Sequence, residues 1–149
     1  MSVSNALSVA VEMALRHRDD ARRSLQDALS ASQAAQAQLD QLENYARETQ
    51  DRWGMRPNAA VQPEVMYHHY QFMDRLGHAA GLQAGVVGSH VDRVGAAERS
   101  LLEAELRLAS LKKLVDKRQR DALQAQMRRE QKQTDERAAL QYRQSLNGS

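Results

Sequence analysis

The stretch Leu101–Val115 limits what this chain can fold into more than any other. Leu101, Ala104, Leu108, Leu111 and Val115 recur with alternating steps of three and four. That spacing is the seam of a coiled coil, in which slight underwinding keeps one apolar edge turned toward a partner helix. Glu103, Glu105, Arg107, Lys112 and Lys113 surround it, and all are good helix formers. Such a helix buries a single stripe, so a second helix has to cover it.

The partner is predicted at the N-terminal end. Ser4 or Asn5 can cap a helix start. From there Leu7, Val11, Ala14, Arg18, Ala21, Leu25, Ala28, Ser32, Ala35, Leu39, Leu42, Ala46, Thr49 and Trp53 alternate in steps of four and three without interruption. The seam is rich in Ala, which lets helices approach closely but buries little area per residue. Marginal stability and fraying at the N-terminal end are expected. Arg18 is the one charge in this seam, read as a long side chain snorkelling to water.

Gly54 follows Trp53 and suits a left-handed C-terminal cap. Pro57 bars easy continuation of the helix, and Pro63 suits a first helical position, with Glu64 beside the positive end of the next dipole. The boundaries are therefore helix 1 at about 4–53, a turn at 54–63 and helix 2 at about 64–143. They describe one elongated domain over 1–149: all-α, two long helices in an antiparallel coiled-coil hairpin, thin and rod-like.

The second seam runs Met66, His69, Met73, Leu76, Ala80, Gln83, Val87, His90, Val94 and Ala97, then through Leu101 to Val115. With Trp53 opposite Met66, Ser4 falls opposite about residue 115, so the first helix runs out where the strong seam stops. Its continuation, Arg118, Ala122, Ala125, Arg129, Lys132, Glu136, Ala139 and Arg143, is heavily charged. The expectation is an overhanging C-terminal helix without an intramolecular partner, on the order of 45 Å long at ~1.5 Å per residue. Between Lys112 and Arg137 it carries nine Lys/Arg and five Asp/Glu. It reads either as a solvated, partly frayed helix or as a tip that orders on a protein partner. Interspersed acids and the lack of interleaved aromatics argue against nucleic acid.

Gly77, Gly81, Gly85, Gly88 and Gly95 interrupt the second helix, at up to ~1 kcal/mol each relative to Ala. Local flexibility or a break at 77–95 is favoured over close packing against the first helix. Just before them lies an aromatic cluster, Tyr67, His68, His69, Tyr70 and Phe72. Phe72, Leu76 and Ala79 form a stripe slightly offset from the seam. It either widens the core at the hairpin tip or offers a docking surface.

Catalytic chemistry has no foothold here. The chain has no Cys, which excludes disulfides and thiolate zinc sites. It has no phosphate-cradling Gly loop and no His-Glu-x-x-His pattern. Asp74 and His78 are spaced i, i+4, but two ligands do not make a metal site. The reading is a non-enzyme with no cofactor. One Trp, one Phe and four Tyr, with a mean hydropathy of -0.70, fit long helices better than a globular core. The run Val9–Leu15 is broken by Glu12 and has no basic region before it, so it is not a secretory signal. The charge-free segment Leu76–Val91 is too short to span a bilayer. A soluble cytoplasmic protein is expected. A formal charge of +2 gives no argument for nucleic acid.

These features resemble the flagellar export protein FliJ family. The likeness is carried by Leu111-x-x-Leu114-Val115-x-Lys117-Arg118, by Arg129-Glu130-Gln131-Lys132-x-x-Asp135-Glu136, and by Tyr70-Gln71-Phe72-x-x-x-Leu76 after the turn. The resemblance implies a stalk-like coiled coil of the flagellar type III protein export apparatus. Such a protein binds and activates the hexameric export ATPase ring, couples it to the membrane export gate protein and interacts with export chaperones. It implies a cytoplasmic protein peripherally associated with the inner membrane, without direct membrane insertion. ATPase contact then falls to residues 116–137, led by Lys117, Arg118, Arg128, Arg129, Lys132, Asp135 and Glu136. Export-gate docking falls to Phe72, Leu76, Ala79 and Gln83, with Gln83 and the glycines departing from the family's pattern. The alternatives are the equivalent stalk of a virulence-type secretion system, a generic oligomerising coiled-coil scaffold and a nucleic-acid-binding hairpin.

Overall fold

The computed structural model describes residues 2–54 and 62–148, with side chains for 5–53 and 62–148. Two helices account for nearly all of them: α1 over Ser2–Gly54 and α2 over Pro63–Asn147. Apart from the glycines of α2, both are built mainly from residues that helices accept, and up to residue 115 each sets a largely apolar seam on one face. α1 begins ahead of the expected cap, so Asn5 lies inside the helix rather than at its start. Gly54 is its last residue, and no glycine among the described residues has a positive φ. Pro57 and most of the expected turn lie outside the described residues. At the start of α2, the Gln62 carbonyl accepts from the amides of Val65 and Met66 at 3.0 and 3.2 Å. Pro63 therefore takes the first helical position, where a missing N–H costs nothing, and Glu64 lies in the first turn.

The two helices pack against each other as a hairpin. Contacts divide the chain into two units. One comprises residues 17–104, and the other residues 1–16 with 105–149.

The 17–104 unit is an antiparallel pair. Its direction is fixed by Gln83 reaching the carbonyl of Ala35 and by the ring of Phe72 meeting that of Tyr45. Ala35, Leu39, Leu76 and Ala104 are buried. Every seam position from Ala21 to Trp53, and from His69 to Leu101, is buried or half-buried. Met66, expected in the seam, is exposed. It lies in the first turn of α2, before the packing that begins at His69. Arg18 keeps a half-buried stem and directs its guanidinium to Asp19, with Nε and Nη2 donating to Oδ1 at 3.2 and 3.0 Å. This is the expected snorkelling, ended by an exposed ion pair worth little by itself.

The expected break at 77–95 is not present, since α2 passes through the glycines as one helix. The physical reason lies on the other side of the same turns. Leu76, Ala80, Gln83, Val87, His90 and Val94 keep facing α1, and their packing outweighs a weak local propensity. Close packing of the glycines against α1 is also not what they provide. A Cβ built at Gly77, Gly81, Gly85 or Gly88 meets nothing within 4 Å.

In the other unit, the first turns of α1 cover α2 as far as residue 115. Ala14 and Leu108 are buried, and Leu7, Val11, Leu111 and Val115 are half-buried. From residue 116 to 148 every described residue except Ala125 is exposed. The unpartnered continuation of α2 stands as expected, and it is helical to Asn147.

Candidate functional site

Chemistry is sparse throughout. Among the described residues no three His, Cys, Asp or Glu side chains gather to hold a metal. Asp74 and His78 are exposed. No helix of the described residues is long and apolar enough to cross a membrane. What the structure offers a partner is surface, in two places.

The first place is the start of α2 in the 17–104 unit. His69 is buried, and its ring stacks on Trp53 with centroids 4.0 Å apart and 26° between planes. That stack ends the seam next to the connection. Phe72 meets Tyr45 edge to face at 6.0 Å and 86°, a geometry that adds to the area both rings bury. Both remain partly open, Phe72 at 39% and Tyr45 at 49%. The predicted stripe therefore divides. Leu76 is buried in the core and Ala79 is half-buried. Gln83 is an interhelical tie, its Nε2 donating to the Ala35 carbonyl at 2.9 Å and to Oε1 of Gln38 at 3.2 Å. Only Phe72 of the four carries substantial exposed apolar surface, and it shares that surface with Tyr45. Sequence reading missed Tyr45, whose position one residue before the seam residue Ala46 was the available signal. Tyr67 and Tyr70 add exposed rings nearby. Gln83→Ala is expected to cost about 0.5–1.5 kcal/mol, the worth of an ordinary hydrogen bond. A urea titration of the variant measures it, and an unchanged midpoint would show the tie to be replaceable by water.

The second place is α2 beyond residue 115. Lys117, Arg118, Arg128, Arg129, Lys132, Asp135 and Glu136 are all exposed, and none is in an ion pair among the described residues. Local order comes from hydrogen bonds along the helix rather than from ion pairs. Gln126 Nε2 donates to Glu130 Oε1 at 3.3 Å, and the Thr134 hydroxyl donates to the Glu130 carbonyl at 2.9 Å. The charges are thus held on a helical scaffold without being consumed by one another. Their long-range attraction is screened over about 8 Å at physiological salt. Sequence reading also missed the exposed Leu123, Met127 and Tyr142 on this segment. It carried the seven-residue repeat past residue 115, where the apolar residues no longer follow it.

The comparisons with known proteins bear on the chain as a whole. A family model described as flagellar FliJ protein matches residues 4–147, which takes in nearly the whole chain. No curated protein matches it.

Proposed function

Since the chain belongs to the flagellar FliJ family and is thereby a component of the flagellar export apparatus, we propose that it is a non-enzymatic stalk that binds and activates the export ATPase ring. It couples the ring to the export gate protein and interacts with export chaperones. It works at the cytoplasmic face of the inner membrane without inserting into it. The observation that carries this reading is the exposed helix after residue 115, whose charged side chains form no ion pair among the described residues. Lys117, Arg118, Arg128, Arg129, Lys132, Asp135 and Glu136 make the ATPase contact. Exposed charges of both signs form rim-type pairs, each worth about 0–1 kcal/mol and sensitive to salt. Weak, replaceable pairs suit a contact made in turn with successive subunits of a ring.

Gate docking centres on Phe72. Its half-open ring beside Tyr45 supplies the apolar anchor, while Leu76, Ala79 and Gln83 hold the turn that presents it.

The test is ATP hydrolysis by the cognate export ATPase with and without this protein, across salt concentrations, and with a 116–149 deletion. Stimulation is expected to fall with salt and to vanish on deletion. Stimulation that survives the deletion would move the contact elsewhere. Neither stimulation nor co-elution by the intact chain would remove the stalk reading.

A further inference from the structure

Beyond residue 115 the apolar pattern changes period. Leu123, Met127, Gln131, Thr134, Ala138 and Tyr142 follow steps of four, four, three, four and four. An eleven-residue repeat of this kind stays on one face of a nearly straight helix. Arg120 begins the face, Ser145 ends it, and no charge lies on it between them. Leu123, Met127 and Tyr142 are 58%, 60% and 67% exposed, so no described residue covers them. Asp135 and Arg128, two turns apart, lie along one edge of the face, and Glu130 and Arg137, also two turns apart, lie along the other. A shallow groove on the Arg128 side is lined by Met127, Arg128, Gln131, Lys132 and Asp135.

We propose that this face pairs with the same face of a second copy of the chain, antiparallel, about a dyad between Gln131 and Thr134. Leu123 then packs on Tyr142 of the second copy, Met127 is set against the small Ala138, and the neutral Gln131 and Thr134 meet at the centre. In an antiparallel pair each edge meets its own copy. Arg128 then lies within two residues of the other copy's Asp135, an axial offset of about 3 Å. Glu130 lies equally close to the other copy's Arg137. Each edge is thus complementary to itself, which is what an isologous contact requires. The parallel arrangement stacks Arg120 on Arg120 and leaves Ala138 against Ala138, a like-charge pair and a gap. A single helix face is small for a stable interface, so the pairing is reversible and depends on concentration. It does not rest on the ATPase reading, and its test uses no ATPase.

Sedimentation equilibrium of the full chain over a range of concentrations is expected to show monomer and dimer. Arg137→Glu sets like charges on one edge twice over and weakens the dimer about tenfold. Adding Glu130→Arg restores it. In a parallel dimer the same double exchange would oppose Arg128 and Asp135 with like charges and weaken it further. The absence of Cys allows a second readout. A mixture of Arg120→Cys and Ser145→Cys proteins is expected to form mixed disulfides, with neither variant cross-linking to itself. Residue 120 is about 37 Å from its own copy in the antiparallel pair. A monomer at all concentrations, self-cross-linking at 120, or a double exchange that fails to restore the dimer would each overturn the proposal.

Discussion

Replacing Gly77, Gly81, Gly85 and Gly88 together by alanine is expected to stabilise the hairpin by about 3 to 4 kcal/mol, since each Gly-to-Ala change in a helix interior contributes about 0.8–1.0. All four sit well inside α2, none has a positive φ, and an added Cβ at each meets nothing within 4 Å. The substitutions therefore carry no steric penalty. Their benefit lies in the unfolded chain, which loses conformational freedom when a methyl group replaces hydrogen. The methyl groups make no contacts that would couple the sites, so the effects add. Against a typical total of 5–15 kcal/mol, the sum is large. Urea unfolding of the quadruple variant would show a higher midpoint with an unchanged slope. A midpoint that stayed put or fell would mean these turns are not helical in the native state.

The same glycines mark where the fold was hardest to read. A seam is a periodic signal carried by many residues, and it outlasts the glycines and polar residues that interrupt it. Leu7 through Trp53 are buried or half-buried at each expected position, with His69 through Val115 behaving likewise. Counting back from the turn also placed the end of the covered seam at Val115. Propensity is a weaker signal. It acts on single residues, and it says nothing about the opposite face of the turn. Five glycines therefore suggested a break, while Leu76, Val87 and Val94 on the inner face were enough to carry α2 through them as one helix.

The candidate site was legible in its charged part and less so in its apolar part. The charged residues between Lys117 and Glu136 stood out as a polar run beyond the covered seam, and they are exposed. Within the stripe at Phe72, spacing alone could not divide a core residue from a surface one. Leu76 faces the seam directly and is buried, whereas Phe72 sits one step around the helix and is half-open. Gln83 illustrates a further limit. A polar residue at a seam position can be a defect, a docking group or a tie, and only its distance to the Ala35 carbonyl decides among them. Past Val115 the change from a seven- to an eleven-residue repeat hid Leu123, Met127 and Tyr142, because a fixed heptad assigns them to three different positions.

Leu108→Ala is the substitution expected to do most damage per atom removed. Leu108 is only 4% exposed, and with Ala14, at 5%, it forms the buried centre of the packing between the first turns of α1 and residues 105–115. Elsewhere that packing relies on half-buried side chains, so little else can compensate. Deleting a buried leucine side chain costs about 2–5 kcal/mol, depending on how far the cavity collapses. An Ala-rich partner face has few long side chains to collapse with, which places the cost toward the upper end. Contacts in a long helical pair are local, so the loss is expected to appear as local opening rather than uniform weakening. Amide exchange should accelerate over residues 2–16, while Leu39 and Leu76 keep the 17–104 pair protected. Leu76→Ala should give the converse pattern. Equal acceleration along both helices in either variant would mean that the two units unfold as one cooperative body.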